Sequence, residues 1–355
     1  MKLFASVLVL SALLFSGAAS AADAPALAAA AQKEGRLVVY SSTDSASAEP
    51  LLADFKSQYP GIQVEYNDLN TTEIYNRFVA EAAAGSGTAD FLWSSSMDLQ
   101  LQLVHNGTAQ PYNSPETQHL PKWAVWQNQA FGTTFEPVTM TYNKRLLPAD
   151  AVPSSHADFV KLLKEKAAVF KGKLATFDPE KSGVGFLMMT QDLKVFPGFW
   201  DLAKAMGSVD VKVYTSTGAM LEKVSSGEHT IAYNIIGSYG LLRQQKDQSI
   251  GIVFPKDYLL AFSRIAFIPK GARNPNAGKL FLDYILSKRA QTIMANKALI
   301  YALRDDVEGQ ATAANLNKEM GKALKPIEVG PDLLTALDKT KRLDFLKRWQ
   351  EALKR

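Results

Sequence analysis

Residues 36–61 read RLVVYSSTDSASAEPLLADFKSQYPG, and the fold follows from how this stretch is punctuated. Leu37, Val38, Val39 and Tyr40 form a β-branched and aromatic run that stops at Ser41-Ser42-Thr43-Asp44. Beyond the polar break, Leu51, Leu52, Phe55 and Tyr59 recur at helical spacing, and Pro60-Gly61 ends the run. Strand, polar loop and helix make half of a βαβ unit. The same punctuation repeats downstream: a strand at 62–66, a helix at 72–84, a strand at 89–93, then Ser94-Ser95-Ser96 and a helix at 97–105 closed by Asn106-Gly107. Such alternation predicts an α/β protein with a largely parallel sheet covered by helices on both faces.

Composition narrows the class of function. The 355 residues carry 39 Lys+Arg against 35 Asp+Glu, so the small positive balance is no nucleic-acid-binding excess. No cysteine occurs, which removes disulfides, thiol catalysis, Cys-based zinc sites and a lipid-anchoring cysteine together. At the N-terminus, Lys2 precedes the apolar or small run Leu3 to Phe15, and Ala19-Ser20-Ala21 follows as a small-x-small cleavage pattern. A spanning helix needs roughly 18–20 apolar residues, so 1–21 is read as a secretory signal. The chain is expected to be exported to the periplasm, unlipidated and freely diffusing.

The remainder is long enough for two domains at roughly 100–200 residues each. At Phe135 to Lys144 the texture changes: Val138, Met140 and Tyr142 alternate with Thr139, Thr141 and Asn143 as one extended strand. A second α/β series follows, with strands expected near 173–177, 211–214, 230–234 and 250–254. Another extended stretch, Ser263 to Pro269, leads into further helices. Two long strands bracketing a middle block imply a chain that leaves its first domain, builds a second and returns. The expected division is 22–137 with 266–355 for the first lobe, and 138–265 for the second. The tail from Leu324 to Arg355 is expected to form an amphipathic helix packed on the first lobe.

Ligands of open α/β sheets bind beyond the carboxyl ends of the strands. Four such positions carry short hydroxyls: Ser41-Ser42-Thr43, Ser94-Ser95-Ser96, Ser182-Gly183 and Thr215-Ser216-Thr217. Each is either a simple N-cap or a donor set for an oxyanion at a helix N-terminus. The loop Asp178-Pro179-Glu180-Lys181-Ser182-Gly183-Val184-Gly185 lacks the Gly-Lys-Ser/Thr of a Walker loop, and Met188 stands where a dinucleotide fingerprint needs its third glycine. No Gly-x-Ser-x-Gly elbow occurs, and His105, His119, His156 and His229 stand in no metal-ligand spacing. His105 and His229 are expected at the surface. Nothing nominates a catalytic group. Tyr142, at the end of the first crossing strand, and Tyr233-Asn234, at the end of a second-lobe strand, pair an apolar face with a hydrogen-bonding tip suited to a small polar solute. Trp123, Trp126, Phe131 and Phe135 are expected to pack between helices.

Taken in order, several short segments resemble the periplasmic solute-binding proteins of ABC importers. They are Leu37-Val38-Val39-Tyr40-Ser41-Ser42, Pro60-Gly61-Ile62-Gln63-Val64, Ala89-Asp90-Phe91-Leu92-Trp93-Ser94, Tyr142-Asn143 and Asp178-Pro179-x-x-Ser182-Gly183. The similarity is to the branch that includes ferric-iron, sugar-phosphate, phosphoglycerate and aminoethylphosphonate binders. It implies a two-lobed type II periplasmic-binding-protein fold, each lobe a mixed sheet flanked by helices, joined by two crossing strands. It also implies a monomeric, non-enzymatic receptor that hands its solute to an inner-membrane permease driven by an ATPase. Ferric-ion members present a Tyr-Tyr pair where this chain has Ile236-Gly237-Ser238, and often a carboxylate where it has Ser95-Ser96. A hard trivalent cation needs anionic oxygen ligands, so the resemblance favours a small anionic organic solute: a phosphate ester, phosphonate or carboxylate. Ferric-iron transport, and ligand sensing for a membrane kinase, are the alternatives. The expected solute contacts are Ser41, Ser42, Thr43, Ser94, Ser95, Tyr142, Asp178, Ser182, Gly183, Val184, Tyr233 and Asn234, with Lys144, Arg243 or Arg264 as counter-charges and no cofactor or metal.

Overall fold

The computed structural model describes residues 23–353; the expected signal segment lies outside them. In chain order the first stretch gives α1 (Asp23–Glu34), β1 (Arg36–Ser41), α2 (Ser45–Gln58), β2 (Gln63–Asp68), α3 (Thr71–Ala83), β3 (Phe91–Ser94), α4 (Met97–His105), β4 (Val125–Trp126), β5 (Ala130–Gly132) and β6 (Glu136–Asn143). The middle gives α5 (His156–Glu165), α6 (Ala167–Phe170), β7 (Leu174–Phe177), α7 (Gly183–Val195), α8 (Phe199–Ser208) and β8 (Lys212–Tyr214), and then α9 (Thr217–Ser226), β9 (Ile231–Ile236), α10 (Gly237–Lys246), β10 (Ile250–Val253) and β11 (Leu259–Phe262). The last stretch gives β12 (Ile265–Phe267), α11 (Pro275–Leu286), α12 (Lys288–Ile293), α13 (Ala313–Met320), β13 (Leu324–Pro326) and α14 (Lys339–Leu353). Among the described residues no helix is long and apolar enough to cross a membrane.

These strands form two mixed sheets. The first runs β2-β1-β3-β12-β5-β4, and the second runs β13-β11-β6-β9-β7-β8 with β10 also paired to β6. β1 pairs in parallel with both β2 and β3, and helices cover both faces; this is why β1 reads as an uninterrupted apolar run rather than an alternating one. Behind it, Phe55 of α2 meets Phe281 and Tyr284 of α11 edge-on, with ring centroids 5.0 and 5.2 Å away. Trp126 and Phe131 lie on the paired strands β4 and β5, not between helices as their apolar character alone suggested. The α/β two-lobed architecture is the type II fold that the sequence implied.

Besides the later passage from β12 to β13, the chain changes sheet twice, from β5 to β6 through Thr133–Phe135 and from β11 to β12 through Ser263–Arg264, a few residues before the expected boundaries. The two crossings are laced together. The Thr133 N–H and hydroxyl both donate to the Arg264 carbonyl at 3.0 and 2.8 Å, and the Arg264 N–H donates to Thr134 Oγ1 at 2.9 Å. The Arg264 guanidinium Nε lies 2.9 Å from Glu136 Oε1, with both side chains fully buried. Trp93 Nε1 of β3 donates to Thr133 Oγ1 at 2.8 Å, tying the crossings to the first sheet.

The tail corrects the expected division. β13 pairs in parallel with β11 in the second sheet, and α14 packs on α8 of the second lobe. Phe345 of α14 meets Phe186 edge-on at 5.5 Å and stacks on Phe199 at 6.0 Å. The amphipathic helix therefore buries its apolar face against the second lobe, not the first.

Candidate ligand-binding cleft

The carboxyl ends of β1 and β3 in the first sheet face those of β7, β8 and β9 in the second. Each leads into a helix that begins at the gap, so helix N-termini converge there from both lobes. Between them lies a cavity of about 290 Å3. Ser42, Asp44, Asp68, Leu69, Asn70, Thr71, Glu73 and Ser95 form one wall; Phe177, Val184, Thr215, Ser216, Thr217, Ile236 and Tyr239 form the other. A larger groove of about 710 Å3 lies between α7, α8 and α14, lined by Trp200, Phe345 and their neighbours. It sits outside the strand ends where open α/β sheets bind ligands, so the smaller interlobe cavity is the candidate site.

Of the predicted contacts, Ser42, Ser95 and Val184 line the cavity. Ser41 and Ser94 are buried behind them, their hydroxyls accepting from the N–H groups of Thr43 and Ser96 within their own turns. Thr43 is also fully buried, and its Oγ1 accepts from Arg264 Nη1 at 3.1 Å. Ser182 caps α7 by accepting from the Gly185 N–H, and Asp178 Oδ1 accepts from the Glu180 N–H; both organise the loop behind the cavity wall.

Three predicted residues belong elsewhere. Tyr142 sits at the C-terminal end of β6, which runs antiparallel to β9. The end of β6 that meets the cleft is therefore its start, and Tyr142 lies opposite Ile231 and Gly251 at the far edge, near Lys144, whose Nζ donates to the Gln248 carbonyl. Tyr233 and Asn234 point into the second lobe's core instead. The Tyr233 hydroxyl and Asn234 Nδ2 both donate to Asp192 Oδ2, at 2.8 and 2.9 Å, while the Tyr258 hydroxyl donates to Oδ1 at 2.8 Å. Burial raises the Asp192 carboxyl, and these donors with His156 oppose the rise. Asn234 adopts φ +61 where the β6 register slips between Thr139 and Thr141, a left-handed conformation that Asn tolerates. His229 is likewise buried, with Nε2 2.7 Å from the Tyr214 hydroxyl, against the surface position expected of it.

The lobes touch across the cleft. Thr72 Oγ1 of α3 accepts from the Gly183 N–H at 3.1 Å and donates to the Lys181 carbonyl at 3.0 Å, and Thr71 Oγ1 accepts from the Val184 N–H at 3.2 Å. The N-terminus of α7, expected to hold solute, is thus satisfied by two threonines of the first lobe. On the other side, the Asp44 N–H donates to the Tyr239 hydroxyl at 3.0 Å, and Arg264 Nη1 donates to the Ser42 carbonyl at 3.4 Å.

Charge is unevenly distributed over this cleft. Arg264 lies just behind its inner wall, 5.3 Å over the Tyr239 ring; burial would lower its pKa, but Tyr239, Glu136 and Asp44 outweigh that and raise it. Arg264 Nη2 has no hydrogen-bond partner among the described residues, and neither does the buried Oγ1 of Thr217, a residue of the cavity lining that is only 3% exposed. Burial and then Asp44 push the Tyr239 hydroxyl up to about 12 against the opposing Arg264. Partial burial of its carboxyl raises Asp44 above its ordinary pKa, with Arg264 opposing and Asp68 adding to the rise. Sequence reasoning overlooked Asp44, Asp68, Glu73 and Tyr239; Asp44 and Glu73 stood in view at the starts of α2 and α3, where acids are ordinarily read as caps, and Asp68 at the end of β2.

Two sheets joined by paired crossings, with a polar cavity at their facing strand ends, define a solute-binding protein of the two-lobed periplasmic type. The chain belongs to the bacterial extracellular solute-binding protein family, whose pattern matches residues 51–318. Its structure is similar to the substrate-binding protein of an ABC transporter from Agrobacterium tumefaciens, with 42% identity, a TM-score of 0.86, and coverage of 90% of this chain and 94% of that one. It is also similar in fold to the periplasmic binding protein AfuA from Actinobacillus pleuropneumoniae with fructose-6-phosphate bound, at 20% identity and TM-score 0.75, covering 90% of this chain and 99% of that one. An uncharacterized protein of Haemophilus influenzae is 25% identical over 93% of this chain and 94% of its own length. The resemblance to solute-binding proteins of ABC importers, read from short segments, thus extends over the chain.

Proposed function

We propose that this chain is the periplasmic receptor of an ABC importer for a small organic solute bearing an anionic group, and that it returns the solute unchanged to its permease. The observation that carries the reading is the inner wall of the interlobe cavity: the hydroxyls of Ser42, Ser95 and Thr217 backed by the buried Arg264. Charge-assisted hydrogen bonds to an anion are roughly twice as strong as neutral ones. The A. tumefaciens relative and the fructose-6-phosphate-bound AfuA support the transport reading and the anion respectively. Ferric iron fits less well. The strand ends present the neutral hydroxyls of Ser42 and Ser95 where a hard trivalent cation needs anionic oxygens, and no three carboxylate or histidine side chains among the described residues come close enough to hold a metal ion.

Contacts from both lobes link binding to closure, because only interactions gained on closing shift the open and closed populations. The test is mass spectrometry of any small molecule released from the purified protein, with thermal shift against phosphorylated, phosphonate and carboxylate solutes. A true solute at a hundred-fold excess over its Kd stabilises by about 3 kcal/mol. Binding of Fe(III) with no response to any anion overturns the proposal.

A further inference from the structure

The first turn of α4 holds a carboxyl on the side that its own lobe does not cover. Met97 and Gln100 face the first sheet and the crossing beside it: Met97 Sδ accepts from the Ser263 N–H, and Gln100 Nε2 donates to the Ile265 carbonyl of β12 at 3.1 Å. At about 100° of rotation per residue, Asp98 and Leu99 then lie on the side of α4 turned away from that sheet. Side chains there meet water unless another element covers them, yet Asp98 is 1% exposed and Leu99 8%. The cover comes from the second lobe and the tail packed on it. α4 lies against α7 and the turn Pro331–Leu337, and Leu99 Cδ1 is 2.7 Å from where a Cβ on Gly183 would stand.

Asp98 is poorly provided for as a carboxylate in this contact. Oδ1 accepts from the adjoining Leu99 N–H at 2.9 Å, while Oδ2 has no hydrogen-bond partner among the described residues. The cation that acts on it comes from the second lobe: Arg342 of α14, 4.7 Å over the Phe186 ring of α7. The ionisable groups on the elements around α4 are engaged elsewhere. On α3, Glu73 accepts from Asn70 and Arg77 pairs with Glu81; on α7, Asp192 is held by Tyr233, Asn234 and Tyr258, and Lys194 pairs with Asp332 of the turn. β5 and β12 contribute none, and His105 stands at the far end of α4 beside Trp126. A buried carboxylate with an unsatisfied oxygen is costly, and the neutral acid escapes most of that cost. Parting the lobes returns the group to water, where it ionises in the ordinary carboxyl range.

We propose that Asp98 is a proton-binding site set between the lobes: closing them takes up a proton at its carboxyl, and opening them releases it. Whatever the solute, its capture then carries a proton with it, and a permease that draws the lobes apart discharges both. Burial lifts the closed-state carboxyl above its open-state range, with Arg342 opposing. The protonated form therefore belongs to the closed state, so closure is favoured at low pH and weakens as pH rises from the open-state towards the closed-state value. The coupling is reciprocal.

The test uses the free mature chain and no solute, so its failure leaves the transport reading untouched. Amide exchange at Gly183 and Val184, whose N–H groups donate across the lobe contact to Thr72 and Thr71, reads closure where the chain is mostly closed. Crosslinking of Thr72→Cys with Lys181→Cys by a short bismaleimide, in a chain with no other cysteine, reads it where the chain is mostly open. Comparison with Asp98→Asn at each pH cancels the pH dependence of the chemistry itself. Between about pH 5.5 and about pH 8.5 the wild type should lose roughly ten-fold or more, relative to Asp98→Asn, in one of the two readouts. Arg342→Gln, which leaves Asp98 in place, should move the midpoint of that loss to higher pH. Parallel behaviour of wild type and Asp98→Asn in both readouts overturns the proposal, and so does an unmoved midpoint in Arg342→Gln. A pH-dependent difference in Tm with no difference in closure also overturns it, because Asp98 would then act on the fold alone.

Discussion

Gly183→Ala should open the lobes while leaving each of them folded. Gly183 begins α7 on the second lobe, yet the three atoms nearest to an added Cβ all belong to the first lobe: Leu99 Cδ1 at 2.7 Å, Thr71 Oγ1 at 3.1 Å and, closer than either, Ser96 Oγ. Forcing a methyl into such a contact costs about 1–3 kcal/mol. The relief available is for the lobes to part, and parting gives up the bonds of Thr71 and Thr72 to Gly183, Val184 and Lys181, each with a net contribution of about 1 kcal/mol. Either route penalises the closed form by roughly 1–3 kcal/mol, a factor of about 5–150 in the closed population. The apparent Kd rises by the same factor, because binding must first restore the competent state. Titration calorimetry reads the Kd, and small-angle scattering reads the larger radius of gyration of the free variant. Gly185→Ala is the contrast. Its Cβ would meet Phe177 Cβ at 2.5 Å within the second lobe, so it should lower Tm instead. A Gly183→Ala protein with wild-type Kd and wild-type scattering would refute the idea that the α3–α7 contact couples closure to binding.

Three further outcomes follow from buried groups. Burial pushes Asp98 on α4 up to about 7 against the opposing Leu99 N–H and Ser96. The folded state therefore holds a proton that the unfolded chain releases near its ordinary pKa, and stability falls as pH rises from about 4 to about 7. Asp98→Asn should be neutral in Tm at pH 4 and stabilising at pH 8, by on the order of 4 kcal/mol at most; a difference flat across that window would refute this. Arg264→Met strands the buried Glu136 carboxylate and should cost about 3–5 kcal/mol in denaturant unfolding, most of it recovered by adding Glu136→Leu; no recovery in the double variant would count against the pair as the cause. Tyr233→Phe should lower stability by about 1–3 kcal/mol, through loss of its bond to Asp192, with solute affinity unchanged, and a weakened Kd at constant Tm would return Tyr233 to the cleft.

The local grammar of the chain was readable, and what depended on distant partners was not. The strand at Arg36–Ser41, its polar loop and the helix ended by Pro60-Gly61 are written in adjacent residues, and so is the strand Glu136–Asn143 that opens the second sheet. Tyr142 was misplaced because a strand's residues do not reveal whether it runs with or against its neighbours; β6 opposes β9, and that reverses which end meets the cleft. Tyr233 and Asn234 were misplaced because their partner, Asp192, lies some forty residues earlier on another element. The hydroxyl loops showed where helices begin, but Ser41, Ser94 and Ser182 spend their oxygens within their own turns. The tail's amphipathic pattern announced a buried face without naming the surface that would cover it.

That tail also constrains the order in which the molecule can assemble. Phe345, Trp349 and Leu353 complete the second lobe's interior, while β12 and α11 complete the first, from residues that follow the whole second lobe in the chain. Neither half can seal its interior while the C-terminal part is still being synthesised, and contacts spanning so much sequence form slowly. A nascent chain of this design stays open until its last helix is released, so loss of even the final turns should leave the second lobe unfinished and exposed to proteolysis.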